Sequence, residues 1–313
     1  EKLVNIISDM LAANGFAEMM CNSLNPAAFY QDNEDFDRDH LVLLANPLSS
    51  DLNAMRQSLL FGGLSSVAWN INRQNTDLKL FEFGHSYFMR KKGDAAPAPG
   101  DYNESEHLDI YLTGLAGRTG WNNKPGLTDF YNIKSYVELV FERLGLNLND
   151  LTCGESSKKY FSESITYLHN KKAVAEAGKI SKKYLKQFDI EQDVYYGNID
   201  WDLLLKLISS HKISFRELPK YPSVKRDLAL LLDKGVKFSQ IREIALKVEK
   251  NILRDISLFD VYESESLGKD KKSYAVSFTL RDDQRTLTDK NIDKVMNSLI
   301  MAFEKELNAQ IRR

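Results

Sequence analysis

The side chains that could ligate a metal or activate a nucleophile are five histidines, His40, His85, His107, His169 and His211, and two cysteines, Cys21 and Cys153. None stands at the short regular spacing that converges ligands on one zinc ion, and the two cysteines lie too far apart to frame a disulfide scaffold. Gly114-Leu-Ala-Gly117-Arg-Thr-Gly120 has the glycine density of a phosphate-cradling loop. Trp121 follows it where such a loop requires Lys and then Ser or Thr, so the segment reads as a turn. No Ser-His-Asp set and no pair of carboxylates falls at a spacing that acid–base or nucleophilic chemistry requires. The residues therefore assign no catalytic group, no bound cofactor and no metal, and the weight moves to binding or assembly.

Residues 273–280 carry the pattern of a binding surface. Tyr274, Val276, Phe278 and Leu280 alternate with Ser273, Ala275, Ser277 and Thr279, so the two faces of the strand differ. The large set must pack beneath helices, and the small set is expected to form a flat, uncrowded face with room for a ligand. Lys225, Arg226, Arg281 and Arg285 stand at strand ends around it, with Lys269, Lys271 and Lys272 in the preceding hairpin. Such cations hold phosphates while splayed bases stack or hydrogen-bond on the sheet. An ordinary solvated face with charged rims has the same pattern, and charge alone does not separate the two. The charge distribution agrees in sign with a polyanion at the C-terminal end: residues 214–313 carry 20 Lys+Arg against 16 Asp+Glu, and residues 1–213 carry 22 against 28.

A face of this kind needs a frame. Residues 228–232 read as a buried strand, 238–250 as a helix with Phe238, Ile241, Ala245 and Val248 on one side, and 257–262 as a second strand. Thr288-Asp289 caps a long helix in which Ile292, Val295, Met296, Leu299, Phe303 and Leu307 recur at helical spacing, before a last strand at 309–312. That order is βαββαβ, the ferredoxin-like split unit, whose helices cover one face of the sheet. Upstream, residues 1–15 read as a helix with Leu3, Ile6, Ile7, Met10 and Leu11 at helical spacing and Asn14-Gly15 as its stop. Residues 78–88 and 108–115 read as strands joined through an exposed loop at 91–100. Thr128-Asp129 caps a helix bearing Phe130, Ile133, Val137, Val140 and Leu144, closed by Gly145, and strand-like pieces at 164–168 and 173–178 flank a hairpin turn at 169–172. The class is α+β with a mainly antiparallel sheet.

At 313 residues, 43% hydrophobic and 27% charged, the chain can bury more than one core. No apolar run approaches the ~20 residues that span a bilayer, and no signal peptide is evident, so no membrane partner and a cytoplasmic location are expected. The chain opens inside a helix without an initiator Met, which reads as a fragment of a longer protein.

Asn46-Pro-Leu-Ser-Ser-Asp51-Leu-Asn-Ala-Met55-Arg56-Gln-Ser58-Leu59-Leu60, followed by Leu80-Phe81-Glu82-Phe83-Gly84, resembles the synthetase-core segment of bacterial phenylalanine-tRNA synthetase β subunits. Asp129-Phe-Tyr-Asn-Ile-Lys134 with Val137-Glu138 resembles the same family's next segment. Tyr221-Pro222-Ser-Val-Lys-Arg226-Asp227-Leu-Ala229 and Asp283-Gln-Arg285-Thr286-Leu287-Thr288 resemble its ferredoxin-fold anticodon-binding domain. Residues 179–189 depart from the family's usual His-Pro-containing stretch.

The resemblance implies a class II synthetase-like antiparallel sheet with helices at 1–210 and an anticodon-binding domain at 214–313. In that class an Arg-x-Glu on a core strand sets a guanidinium against the ATP α-phosphate. Leu80 stands in the Arg position here, which implies a degenerate core, inactive alone. ATP and Mg are then expected at the α subunit of an α2β2 heterotetramer, which activates phenylalanine and charges tRNA(Phe). The implied RNA-binding set is Tyr221, Ser223, Lys225, Arg226, Ala275, Ser277, Arg281 and Arg285. The family's editing domain lies N-terminal to this region, so editing is expected to be missing. Residues 1–24 resemble the class II dimerisation segment and are expected to offer apolar surface to a partner subunit. The alternative is an assembly module whose ferredoxin-like domain packs against protein and binds no RNA.

Overall fold

Strand alternation sets the architecture of the larger part of the chain. The computed structural model describes residues 1–31, 33–90, 98–209, 217–264, 267–268 and 270–312. Most of the loop expected at 91–100, together with His211 and Lys269, lies outside the described residues, as do both expected domain edges at 210 and 214. The chain divides into two compact units, Glu1–Ile213 and Ser214–Arg313.

In the first unit α1 (Lys2–Ala13) leads through β1 (Ala17–Glu18), β2 (Leu24–Asn25) and β3 (Ala54–Met55) to α2 (Leu60–Ile71). The long strands β4 (Leu78–Met89) and β5 (Tyr102–Thr113) come next, then α3 (Phe130–Arg143), β6 (Thr152–Gly154), β7 (Phe161–His169), β8 (Lys172–Ile180), α4 (Lys182–Lys186), β9 (Val194–Asp200) and α5 (Trp201–Ser209). Seven strands form one sheet in the order β1-β4-β5-β9-β8-β7-β6, antiparallel throughout except β1 against β4. Leu108, Ile110 and Leu112 of β5 turn to one face, where Ile7 and Leu11 of α1, Ile133 and Val137 of α3, and Leu204 of α5 cover them. Tyr111 turns to the other face and packs with Leu60, Phe61 and Leu64 of α2 and with Tyr30, Tyr160, Tyr184 and Tyr196.

Local chemistry fixes the ends of these elements. Asp129 accepts the Asn132 N–H at 3.0 Å while the Asn132 side chain accepts the Asp129 N–H at 2.9 Å, a reciprocal cap at the start of α3. Asn170 and Lys171 both have positive φ, 49° and 67°, the mirror-image turn that joins two strands through two residues without splaying them. The apolar stripe of α1 serves this unit's own sheet: Ile7 and Leu11 are fully buried, and Leu3, Val4 and Met10 pack on the same core. In residues 1–24 the large exposed apolar side chain is therefore Met20, at 94% exposure, and not the helix.

In the second unit β10 (Val224–Asp233), α6 (Phe238–Val248), β11 (Leu253–Tyr262), β12 (Lys271–Leu280), α7 (Asp289–Leu307) and β13 (Gln310–Arg312) follow the expected βαββαβ order. The sheet order is β11-β12-β10-β13, antiparallel at every pairing. Leu230, Leu232, Val276, Phe278 and Leu280 lie under Ile241 and Ala245 of α6 and Ile292, Leu299 and Phe303 of α7, each at most 2% exposed. Asn308 takes left-handed φ of 50° and ends α7.

Close backbone approach makes one glycine indispensable in the larger sheet. A Cβ on Gly178 would stand 2.2 Å from the Glu163 carbonyl oxygen, which belongs to the neighbouring strand's backbone and cannot swing aside. Gly178→Ala is expected to destabilise the fold by about 2–3 kcal/mol. Gly154→Ala, whose Cβ would meet only Leu168 Cδ1 at 4.0 Å, is its control, and urea midpoints of the two variants measure the difference.

Candidate nucleic-acid interface

Directly opposed residues of an antiparallel pair share a face, so register decides which side chains meet in the second unit. Lys225, Asp227, Ala229 and Leu231 of β10 oppose Thr279, Ser277, Ala275 and Ser273 of β12. On the other flank Asp255, Ser257, Asp260 and Tyr262 of β11 oppose the same four residues. Together they form the face that neither helix covers. An irregularity between Leu258 and Asp260 puts one additional residue into β11 and turns Asp260 and Tyr262 to this side.

The face is not flat. Ser273 and Ser277 are only 7% and 9% exposed, because short side chains on a central strand are overhung by longer ones on both neighbours. The result is a trough floored by hydroxyls and Ala275. Tyr262, 47% exposed, stands at one edge, with Lys225 and the carboxylates of Asp227, Asp255 and Asp260 around it. Hydroxyls and carboxylates accept hydrogen bonds from base amino and imino groups, and an exposed ring offers a stacking platform.

The expected binding residues do not all reach this face. Lys225, Ala275 and Ser277 lie on it, and Tyr221 and Ser223 precede β10 on its approach. Arg281 follows β12 and pairs with Asp283 at 3.0 Å, beside Arg254 on the same carboxylate at 2.7 Å. Arg226 opposes Phe278 and so belongs to the helix-covered side, where its Nη2 lies 3.6 Å from Asp289 at the start of α7. Arg285 pairs with Asp282 at 3.1 Å and lines a groove of about 500 Å³ with Glu249, Asn291 and Lys294. Hydrogen bonds from the Gln284 N–H and then from Arg285 hold the Asp282 carboxyl below its usual range. Lys272 opposes Leu232 on the helix side, buried, with its Nζ on the Tyr274 hydroxyl at 2.7 Å, whereas Lys271 pairs with Asp233. Residue type placed these cations near the strand ends, but only pairing parity shows which face each one serves. Tyr262 and Asp260 were missed because the additional residue shifts their alternation, and Asp255 because it precedes the strand expected at 257–262.

In the first unit the corresponding question concerns Leu80. It is 8% exposed and packs in the aromatic layer with Tyr111 and Phe61. Two residues on, Glu82 is buried, its Oε1 accepting from Arg56 Nη1 at 2.7 Å and from the Cys21 N–H at 3.2 Å. Arg56 also donates through Nε to the His85 carbonyl at 2.8 Å. A guanidinium does reach this part of the sheet, but it comes from position 56 and is locked to an internal carboxylate.

Glu82 begins a polar row that crosses five strands, opposed in sequence as Glu82, Asp109, Asn198, Glu176 and Thr166. Asp109 is fully buried and accepts from Tyr196 Oη at 2.6 Å and Asn198 Nδ2 at 2.6 Å. Asn198 also reaches His107 Nδ1 at 3.2 Å, and His107 Nε2 lies 2.8 Å from Ser86 Oγ. Burial lowers the His107 pKa, so the ring is neutral, accepting at Nδ1 and donating at Nε2. Glu176 accepts from Ser156 at 2.5 Å and Thr166 at 3.3 Å. The rings of Tyr30, Phe36, Phe61, Tyr160 and Tyr184 fill the layer above. Most of the row's groups find partners within the fold, although the buried Glu82 Oε2 has none among the described residues.

Burial pushes the Asp109 carboxyl up to about 7, against the downward pull of the Tyr196 and Asn198 hydrogen bonds and with the Glu82 charge adding to the rise. Unfolding returns it to its ordinary 3.8. The folded chain therefore keeps a proton that the unfolded chain releases, and its stability falls as pH rises between those values, by up to about 4 kcal/mol, and then levels off. Asp109→Asn removes this titration. Urea midpoints at pH 5 and pH 8 are expected to show wild type losing stability relative to the variant at the higher pH.

Comparison with known proteins follows the same division. Residues 1–201 match the family model described as the phenylalanyl tRNA synthetase beta chain CLM domain, and residues 219–312 match the ferredoxin-fold anticodon binding domain. Phenylalanine–tRNA ligase beta subunits of Bacteroides thetaiotaomicron, Porphyromonas gingivalis and Fusobacterium nucleatum are 46%, 38% and 32% identical over 99%, 99% and 100% of this chain. The chain spans 38% of the length of each of these relatives. Among the described residues, no helix is long and apolar enough to cross a membrane. With a core model over its first unit and an anticodon-binding model over its second, the chain belongs to the phenylalanyl-tRNA synthetase beta chain family.

Proposed function

We propose that this chain is the part of a phenylalanine–tRNA ligase β subunit that combines a non-catalytic core with an anticodon-reading domain. The trough on the uncovered face of the second unit carries this reading, because it sets hydroxyls, carboxylates, Lys225 and the Tyr262 ring on one surface. Single-stranded loops are read on such surfaces, by stacking and by hydrogen bonds to base edges. The anticodon loop of tRNA(Phe) is the matching ligand. Lys225 and, from the strand end, Arg281 engage its phosphates, with Tyr221 and Ser223 on the approach. Arg226 and Arg285 act from the helix side, on the stem or through the position of α7.

The apolar Leu80 and the Arg56–Glu82 lock support a core that activates no amino acid itself. Phenylalanine activation then belongs to an α subunit, which binds ATP with Mg in an α2β2 assembly in the cytoplasm, and this core is its packing partner.

Titration of tRNA(Phe) against the full chain tests the RNA half. Lys225→Ala and Tyr262→Ala are each expected to weaken binding about tenfold, and Arg226→Ala and Arg285→Ala less, with affinity falling steeply as salt rises. Unchanged affinity in both trough variants would sink the anticodon reading and favour a protein-packing role for this domain. ATP–pyrophosphate exchange is expected to be absent from the chain alone; measurable exchange contradicts the inert core.

A further inference from the structure

The turn that follows β5 holds a tryptophan almost wholly in water. Trp121 is 96% exposed, whereas Trp201 is 1% exposed and edge-packed on Phe83, and Trp69 lies beneath the Arg73 guanidinium at 3.6 Å. The backbone around Trp121 is well tied. Leu115 pairs with Leu127, the Ala116 N–H donates to the Gly126 carbonyl at 3.0 Å, and Gly120 and Asn123 exchange hydrogen bonds at 2.8 and 3.3 Å across Trp121 and Asn122. Asn123 Nδ2 donates to the Arg118 carbonyl at 3.0 Å, and Asp77 accepts the Leu115 N–H at 2.9 Å at the base. These bonds form a short finger with Trp121 at its tip.

Its charge has one sign. Between 115 and 127 the chain carries Arg118 and Lys124 and no carboxylate, within a unit whose acidic residues outnumber its basic ones by 28 to 22. Both cations are exposed and, among the described residues, neither has an ion-pair partner, whereas Lys134, Lys159 and Lys179 of the same unit are paired. A lone exposed apolar residue is common and needs no explanation. An exposed indole at the tip of a tied turn, with unpaired cations on both arms and no anion, has the composition of an RNA-stacking element.

We propose that this finger is a second RNA contact, separate from the trough of the second unit, in which Trp121 stacks on an unpaired base while Arg118 and Lys124 hold the adjoining phosphates. The inference rests on the reading that the chain binds RNA, but not on where the anticodon lies. A short single-stranded oligoadenylate is the probe, titrated against the full chain carrying Lys225→Ala and Tyr262→Ala, so that the trough is disabled. The expected result is residual, salt-sensitive binding that quenches indole emission. Adding Trp121→Ala should abolish the quench and weaken binding about tenfold. Arg118→Ala with Lys124→Ala should weaken it similarly, keep the exposed indole, and flatten the salt dependence. Unchanged oligoadenylate affinity after Trp121→Ala overturns the proposal. So does Trp121 emission that ignores RNA and shifts only when an α subunit is added, which would make the finger a protein contact. Loss of tRNA binding in the trough variants alone tests the anticodon reading and leaves this outcome separate.

Discussion

A β-sheet has two faces, and what covers each one governs the rest of this molecule. In the first unit both faces are covered, one by α1, α3 and α5 and the other by α2 and a layer of aromatic rings. Polar side chains that point inward then draw on partners inside the protein, and Gln57 Oε1, Glu82 Oε2 and Ser181 Oγ are buried without one among the described residues. In the second unit α6 and α7 both lie over one face, and the other is left to water. The same alternating sequence therefore produces a sealed interior in one unit and a solvated surface in the other.

On the sealed face the three carboxylates of one layer, Glu82, Asp109 and Glu176, turn to partners within the fold. Glu82 and Asp109 stand directly opposite each other, a repulsive arrangement in a medium of low polarity. Arg56 neutralises one of them, and burial lifts the pKa of the other to about 7, so that it carries its proton about half the time at neutral pH. Tyr196 and Asn198 supply directed donors, so the pair is held by geometry as well as charge. Buried tyrosines whose hydroxyls are engaged this way ionise only far above neutral pH, and the raised values for Tyr111 and Tyr196 follow from the same burial.

Much of this was legible in the residues, and the limits of legibility are physical. The βαββαβ order followed from apolar spacing in α7 and from the two-sided pattern of β12, because a helix stripe and a strand alternation leave different periods in sequence. The reciprocal cap of α3 and the stop of α1 at Gly15, with φ of 86°, were also readable, since local hydrogen bonding and backbone freedom decide them. β9 and α5 were not found. Tyr195-Tyr196-Gly197 belongs to a strand in the middle of a doubly covered sheet, where both faces are buried and the alternation of buried with exposed residues disappears. The sides taken by Arg226 and Lys272 were hidden for a different reason: each is set by long-range register, to which composition is blind. The row from Glu82 to Thr166 joins residues up to 116 positions apart, Glu82 and Asn198, and only the assembled sheet reveals it.

The irregularity in β11 shows how much a single residue can decide. Leu258 turns to the core opposite Val276, and strict alternation from there would send Asp260 and Tyr262 to the core as well. One supernumerary backbone unit reverses that order. An anionic group and a phenol ring, which the hydrophobic interior would otherwise have to accommodate, come out to water instead. The count of residues along this edge is thus as consequential as their identity: shortening the strand by one would leave its composition nearly intact while exchanging what the domain hides for what it shows.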